Sequence, residues 1–239
     1  MSRQQPEQQA PPVQKVRVRY SKRGRLRFTS HRDVSRAIER AVVRARIPMA
    51  YSSGFHPHPR ISYAGASPTG AASEAEYVEL GLAEVRDPAA IGAELNDSLP
   101  DGLDVVHAVD AADCADGSLA DSLTGSRWLI ELGDTPRTAL ESAVTAFMAA
   151  ESLTVERMTK KGLRSFDCRA AVVHVALREA SALDLLLRHT VPAVRPDDVL
   201  SGLHEVGALE LVGPALLTRL EQGVLGIDSA ALVDPLAAR

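Results

Sequence analysis

Residues 14–48 read QKVRVRYSKRGRLRFTSHRDVSRAIERAVVRARIP, and a change of period inside them decides the fold. Val16, Val18 and Tyr20 alternate with Arg17 and Arg19, the two-residue period of a strand that buries one face and turns arginines outward. Leu26 and Phe28 resume the alternation after SKRGR, which predicts a strand interrupted by a turn or bulge at Gly24. Ser30 and Asp33 then carry capping-box spacing, with Asp where Glu is usual. From Val34 the period lengthens. Val34, Ala37, Ile38, Ala41, Val42 and Ala45 follow the i, i+3, i+4 pattern of one buried helix face. Ile47-Pro48 ends that helix, because a proline disfavours helical geometry in the residue before it. Arg32, Arg36, Arg40 and Arg44 step by four along its flank, a row about 18 Å long at ~1.5 Å per residue.

The elements that follow continue the pattern. MAYSSGFHPHPR (49–60) is an irregular or extended path through two His-Pro pairs, and Ile61 and Tyr63 lie in a short strand. GASPTGAAS (65–73) is a second small-residue loop, flexible enough to approach a ligand closely. Glu76 to Leu82 alternates as a strand, Pro88 opens a helix to about Leu95, and Leu103 to Val109 is the next strand. Strand, helix, strand, strand, helix, strand is the ferredoxin-like split arrangement. The acidic, small-residue stretch at 111–126 reads as a linker.

Beyond it, Trp128 to Leu132 is a strand and Thr135-Pro136 a cap followed by a helix with Ala139, Leu140, Ala143, Val144, Phe147 and Met148 on one face. Strands follow at Leu153 to Met158, Val172 to Leu177 and Leu183 to Leu187, with a basic turn at Lys160 to Gly162. A helix begins at Pro196 and gives way to a glycine-punctuated tail. The expected fold class is therefore α+β: two ferredoxin-like (split βαβ) units in tandem, antiparallel sheets with helices packed on one face. Their bounds are 15–110 and 127–239, behind a disordered lead at 1–14.

Length and composition, 239 residues with 45% hydrophobic and 24% charged, allow one large domain or two of about 100 residues. No apolar run reaches the ~18 residues of a membrane span, and MSRQQPEQQAPPVQ lacks an apolar signal core, so a cytoplasmic protein is expected. Cys114 and Cys168 are too few for a disulfide framework or a four-cysteine cluster. No cofactor of its own is expected. The net charge of −4 conceals a division along the chain: 14–60 holds 13 Lys/Arg against two acids, whereas 73–156 holds 18 acids against three arginines. Such segregation fits a basic working surface for an anionic partner, or two segments that neutralise one another across the fold.

The candidate nucleic-acid-binding residues are Arg25, Arg27, Arg32, Arg36, Arg40, Arg44, Tyr51, Phe55, His56 and Arg60. Guanidinium forks match phosphate oxygens, and the Tyr51 and Phe55 rings offer platforms for unpaired bases. The same arginines also read as a solvated face paired with Glu74, Glu76 and Glu79, or as a docking surface for a protein. Ser30, His31, Asp33, Ser53, Gly54, Ser73, Glu74 and Glu76 complete the motif and loop positions, and the spacing of Glu74 and Glu76 puts both on one strand face. H-x-D at His31 and H-x-H at His56 and His58 fit no established metal motif, so no metal site is expected. Two histidines beside an RNA backbone would suit general acid–base cleavage, which makes His31 and His56 the catalytic candidates; helix capping and loop orientation account for them equally. Lys160, Lys161, Arg164 and Arg169 either extend the basic surface or form a solvated hairpin.

KRGRLRFTSHRD, AIERAVVRARIP, YSSGFHPHPRISYA and ASEAEYVELGL resemble the radical-SAM-linked protein family, a bacterial domain of unknown function found alone or fused C-terminal to a radical SAM protein. The likeness is strongest from Lys15 to about Leu82, and AGASPTGAAS departs from the family's leucine- and proline-richer loop. It implies an accessory, expected to be non-catalytic, working with a radical SAM enzyme in trans. Joined to the charge placement, it predicts a substrate-binding protein that presents RNA or a ribonucleoprotein. A fold-level similarity to the CRISPR repeat-processing endoribonucleases supplies the alternative of a metal-independent endoribonuclease, and a protein-only adaptor is the third reading.

Overall fold

The computed structural model describes residues 8–159, 162–179, 181–226 and 230–238. The first half of the lead, 1–7, and the lysines at 160 and 161 lie outside the described residues. The chain divides into two compact units, Met1–Ser122 with Pro235–Arg239 and Leu123–Asp234. Each is α+β, with an antiparallel sheet and helices packed on one face.

The first unit runs β1 (Gln14–Lys22), α1 (His31–Arg44), β2 (Ile61–Ala64), β3 (Ala72–Leu82), α2 (Pro88–Ser98) and β4 (Leu103–Asp110). Its strands lie in the order β4-β1-β3-β2, and each neighbouring pair is antiparallel, which is the ferredoxin-like topology. Register follows from the apolar period. Val16 faces Leu80 and Val18 faces Val78, so these side chains share the face that packs on Val34, Ile38, Ala41 and Val42 of α1 and on Ile91 and Leu95 of α2. Each such buried aliphatic side chain contributes roughly 1.5–3 kcal/mol.

Leu26 and Phe28 do not resume the strand. Gly24, at φ +55°, turns the chain, and Gly24–Phe28 forms a 3-10 helix. Arg23 N bonds Gly102 O at 2.8 Å, so the strand is led away from the sheet at that point. Ser30 caps α1, its Oγ accepting from Asp33 N. The helix closes at Arg46, φ +54°, with Ile47 N bonding back to Val42 O, one turn ahead of the proline.

The second unit runs β5 (Gly125–Glu131), α3 (Arg137–Ala149), a separate hairpin of β6 (Thr154–Thr159) and β7 (Gly162–Asp167), then β8 (Val172–Arg178), β9 (Ala182–Arg188), α4 (Pro196–Gly207), β10 (Leu216–Leu225) and β11 (Leu232–Val233). The order β10-β5-β9-β8, again antiparallel, repeats the first unit's plan with the hairpin inserted after its first helix. β10 occupies what read as an irregular tail. Two of its buried positions are polar, Arg219 and Gln222, bonded to one another at 2.9 Å, so the alternation that marks a strand is missing from its sequence. Thr135 is buried and donates to Leu132 O instead of capping α3.

Within the stretch read as a linker, Cys114, Leu119 and Leu123 are buried and Gly125 already belongs to β5. Of the lead, Gln9 N bonds Ser53 Oγ and Val13 N bonds Leu82 O.

Helix α4 approaches α3 most closely at Gly207, where an added Cβ would lie 2.5 Å from Ala143 Cα. Gly207→Ala is expected to destabilise the second unit by about 1–3 kcal/mol, read as a lower urea midpoint at unchanged slope.

Candidate functional site

The cations of the first unit fall into two sets. Those on β1 and just after it are held by the protein itself. Arg17 is 4% exposed; its Nε donates to Glu79 at 3.1 Å and its Nη2 to Gly117 O at 2.8 Å. Lys15 joins the same carboxylate at 2.8 Å. Burial pushes the Glu79 carboxyl up, and the hydrogen bonds from Lys15 and Arg17 more than offset it, leaving the group below its ordinary range. Arg19 donates to Glu74 O, and Arg23 pairs with both Glu74 and Asp104. The arginines expected to face outward from β1 are therefore internal bonding groups. The alternation was right and the exposure was not, because 111–117 covers Arg17. Its Nη1 is buried without a hydrogen-bond partner, and the guanidinium neighbours the Cys114 thiol, which burial pushes up and Arg17 draws down.

The loop at 65–71 is held just as firmly. Glu76, 3% exposed, accepts from Ser67 N with both oxygens. Lys22 Nζ donates to Pro68 O, Arg27 Nε donates to Gly70 O at 3.1 Å, and Gly70 N returns a bond to Arg27 O at 2.7 Å. Ser73 is buried and its Oγ accepts from Ala75 N. Glu74 and Glu76 thus serve Arg23 and a loop amide.

The second set of cations is open. Arg25, in the 3-10 helix, Arg32 and Arg40, on α1, and Arg46, just past its end, are exposed, and their side chains make no hydrogen bond or ion pair among the described residues. Arg36 has one exposed contact with Asp33 at 3.9 Å, and at this exposure such a pair is worth ~0–1 kcal/mol. Arg44 differs, donating to Ser98 O at 3.0 Å, and Arg60 donates to Tyr51 O at 3.2 Å. Phe28 stands 68% exposed at the end of the 3-10 helix, four residues before Arg32, and is absent from the candidate binding residues. Its apolar character at an alternating position made it read as strand core.

His31 and His56 are not brought together. The His31 ring meets Tyr63 edge-on at 5.3 Å, and Tyr63 Oη donates to Ser35 O. His31 begins α1. His56 lies in the loop closed by the Tyr51–Pro59 bridge, which starts beyond the other end of the helix, after Met49 has bridged Leu82. Glu74, at the start of β3, is about 26 Å of strand from Leu82 at ~3.3 Å per residue. A single acid–base cleft of His31, His56 and Glu74 is not formed. The loop's other positions are structural in their bonds: Ser53 Oγ accepts from Gln9 N, Gly54 takes φ +126°, and Phe55 and His56 are exposed at its tip beside half-open Tyr51. No group of three metal-ligating side chains forms among the described residues. No helix among them is long and apolar enough to cross a membrane. Both cysteines are buried, and burial raises the Cys168 thiol to about 11.

The profile of a family described as an uncharacterized protein conserved in bacteria, DUF2344, matches residues 15–196. The chain belongs to that family. No curated protein matches it. Among solved structures it is similar to a chain of a Cbf5-Nop10-Gar1 complex, at 12% identity and a TM-score of 0.44 over 92% of this chain. It spans 55% of that chain's length. A dyp-type peroxidase protein from Shewanella oneidensis aligns at 11% identity and a TM-score of 0.23, over 87% of this chain and 89% of the other. Likenesses at these scores say nothing about activity.

Two outcomes are expected from the anchored set. Glu79 is held below its ordinary range in the folded protein, so its contribution to stability is present above about pH 4.3 and is lost as the pH falls through the folded value. Glu79→Gln should therefore flatten the fall of stability below about pH 4.3, measured by urea unfolding at stepped pH. Glu76→Ala should leave the Ser67 amide buried without this acceptor and speed hydrogen exchange across 65–71 while the exchange of β1 is unchanged.

Proposed function

We propose that this family member is a cytoplasmic, non-catalytic accessory of a radical SAM system that binds RNA or a ribonucleoprotein through the exposed face of α1 and the 3-10 helix before it. The observation that carries the RNA part is the open set of cations, Arg25, Arg32, Arg36, Arg40 and Arg46, which neighbouring acids and carbonyls leave in water while they engage Lys15, Arg17, Arg19, Lys22, Arg23, Arg27 and Arg44. Arginines in water on a rigid helix meet phosphate oxygens at little desolvation cost, and each can offer a bidentate fork. The radical SAM partner rests on the sequence resemblance of KRGRLRFTSHRD and YSSGFHPHPRISYA. The separation of His31 from His56 weighs against the endoribonuclease reading.

Affinity for structured RNA should fall steeply with salt. Replacing Arg32, Arg36 and Arg40 together by alanine should reduce the slope of log K against log salt by about two to three, at roughly 0.7–0.9 per phosphate contact. Wild-type binding that is unmeasurable at low salt, or indifferent to salt, would sink the RNA claim. Capture of a radical SAM enzyme by the immobilised protein tests the partner: retention after nuclease treatment identifies a protein-only adaptor, and loss on treatment identifies an RNA bridge.

A further inference from the structure

The exposed face of α1 carries more than charge, and what accompanies the charge distinguishes one kind of nucleic acid from another. Phe28 is 68% exposed, and it does not sit on a loose segment. The 3-10 helix that bears it is bonded at its start, where Arg23 N reaches Gly102 O, and along its length by the reciprocal pair of Arg27 and Gly70. Leu26 N to Arg23 O and Thr29 N to Leu26 O close its own turns. An exposed aromatic side chain thereby stands on a bonded segment, three residues after Arg25 and four before Arg32, two cations without partners among the described residues.

At the far end of α1 the chain presents further exposed aromatics, Phe55 at 66% and Tyr51 at 40%. The helix between spans about 21 Å at ~1.5 Å per residue.

A duplex gives such rings nothing to stack on, since its bases are already stacked on one another and only phosphates and groove edges face the protein. A single strand offers both partners at once: phosphates for the arginines and the open faces of unpaired bases for the rings. Resting on the RNA-binding reading above, we propose that the ligand of this face is single-stranded RNA and that Phe28 is the platform on which an unpaired base stacks. Stacking is indifferent to base identity, so the preference is for unpaired structure and not for sequence.

The experiment compares fluorescence anisotropy of the full chain on a single-stranded uridine oligomer of about 12 nucleotides, within the ~4–16 covered by single-strand-binding modules, and on a blunt duplex of equal length. Wild type should prefer the single strand. Phe28→Ala should weaken single-strand binding by roughly 5- to 100-fold while leaving duplex affinity and the salt slope unchanged, because a stacked ring neutralises no phosphate. Phe28→Trp should restore affinity and lose indole fluorescence on binding, over the steady signal of Trp128, which is 4% exposed. Single-strand affinity unchanged in Phe28→Ala, or a wild-type preference for duplex, overturns this proposal and leaves the RNA reading intact. Failure of wild type to bind either oligomer at low salt overturns both.

Discussion

The pairing of β1 with β3 is the constraint on which the first unit depends. Because side chains alternate across a strand, fixing Val16 opposite Leu80 and Val18 opposite Val78 sends Arg17 and Arg19 to the opposite face. That face must then satisfy two guanidinium groups. Glu79, cross-strand from Arg17, does so for one, and backbone oxygens at Glu74 and Gly117 complete the set. A slip of one residue would bury both arginines in the apolar layer, at a desolvation cost no hydrophobic gain would offset.

This division explains why a chain of net charge −4 presents an open basic face. Acids of β3 and β4 are committed to cations of β1 and its exit, and cannot also neutralise α1. The helix has its own apolar stripe for the core, so its arginines are left on the solvent side with Glu39 and Asp33 as local counter-charges. The distinction between bonded and unbonded cations separates those committed to the fold from those left in water more sharply than their number does.

The element order of the first unit was legible because its strands and helices keep their periods: Val16 to Tyr20 by two, Val34 to Ala45 by three and four. The second unit was legible as far as α4 except for β7, which was not among the strands expected from its sequence. Illegible parts share one cause, which is polar or apolar character placed against its usual side. LRF at 26–28 mimics a strand although Gly24 has already turned the chain. β10 hides its inward face behind Arg219 and Gln222, the former lying over the Trp128 ring. Glu76 looks like a surface acid and is a buried loop anchor, which only the position of the Ser67 amide reveals. As for the site, the arginine row could be read from spacing. Which of its members are free could not, because the competitor, Ser98 O for Arg44, comes from a remote segment.

The bonded 3-10 helix before α1 has a consequence for the energetics of any contact made there. Ordering the backbone costs about 1–2 kcal/mol per residue, and in this helix that entropy is lost when the chain folds, before any ligand arrives. Only the two side-chain torsions of the ring remain to be fixed on binding, so little of the interaction is consumed by preorganisation. If Phe28 stacks a base as proposed, the loop at 65–71 acts on that recognition without touching the ligand. By fastening Arg27 to Gly70 it sets how much conformational freedom Phe28 still has to give up.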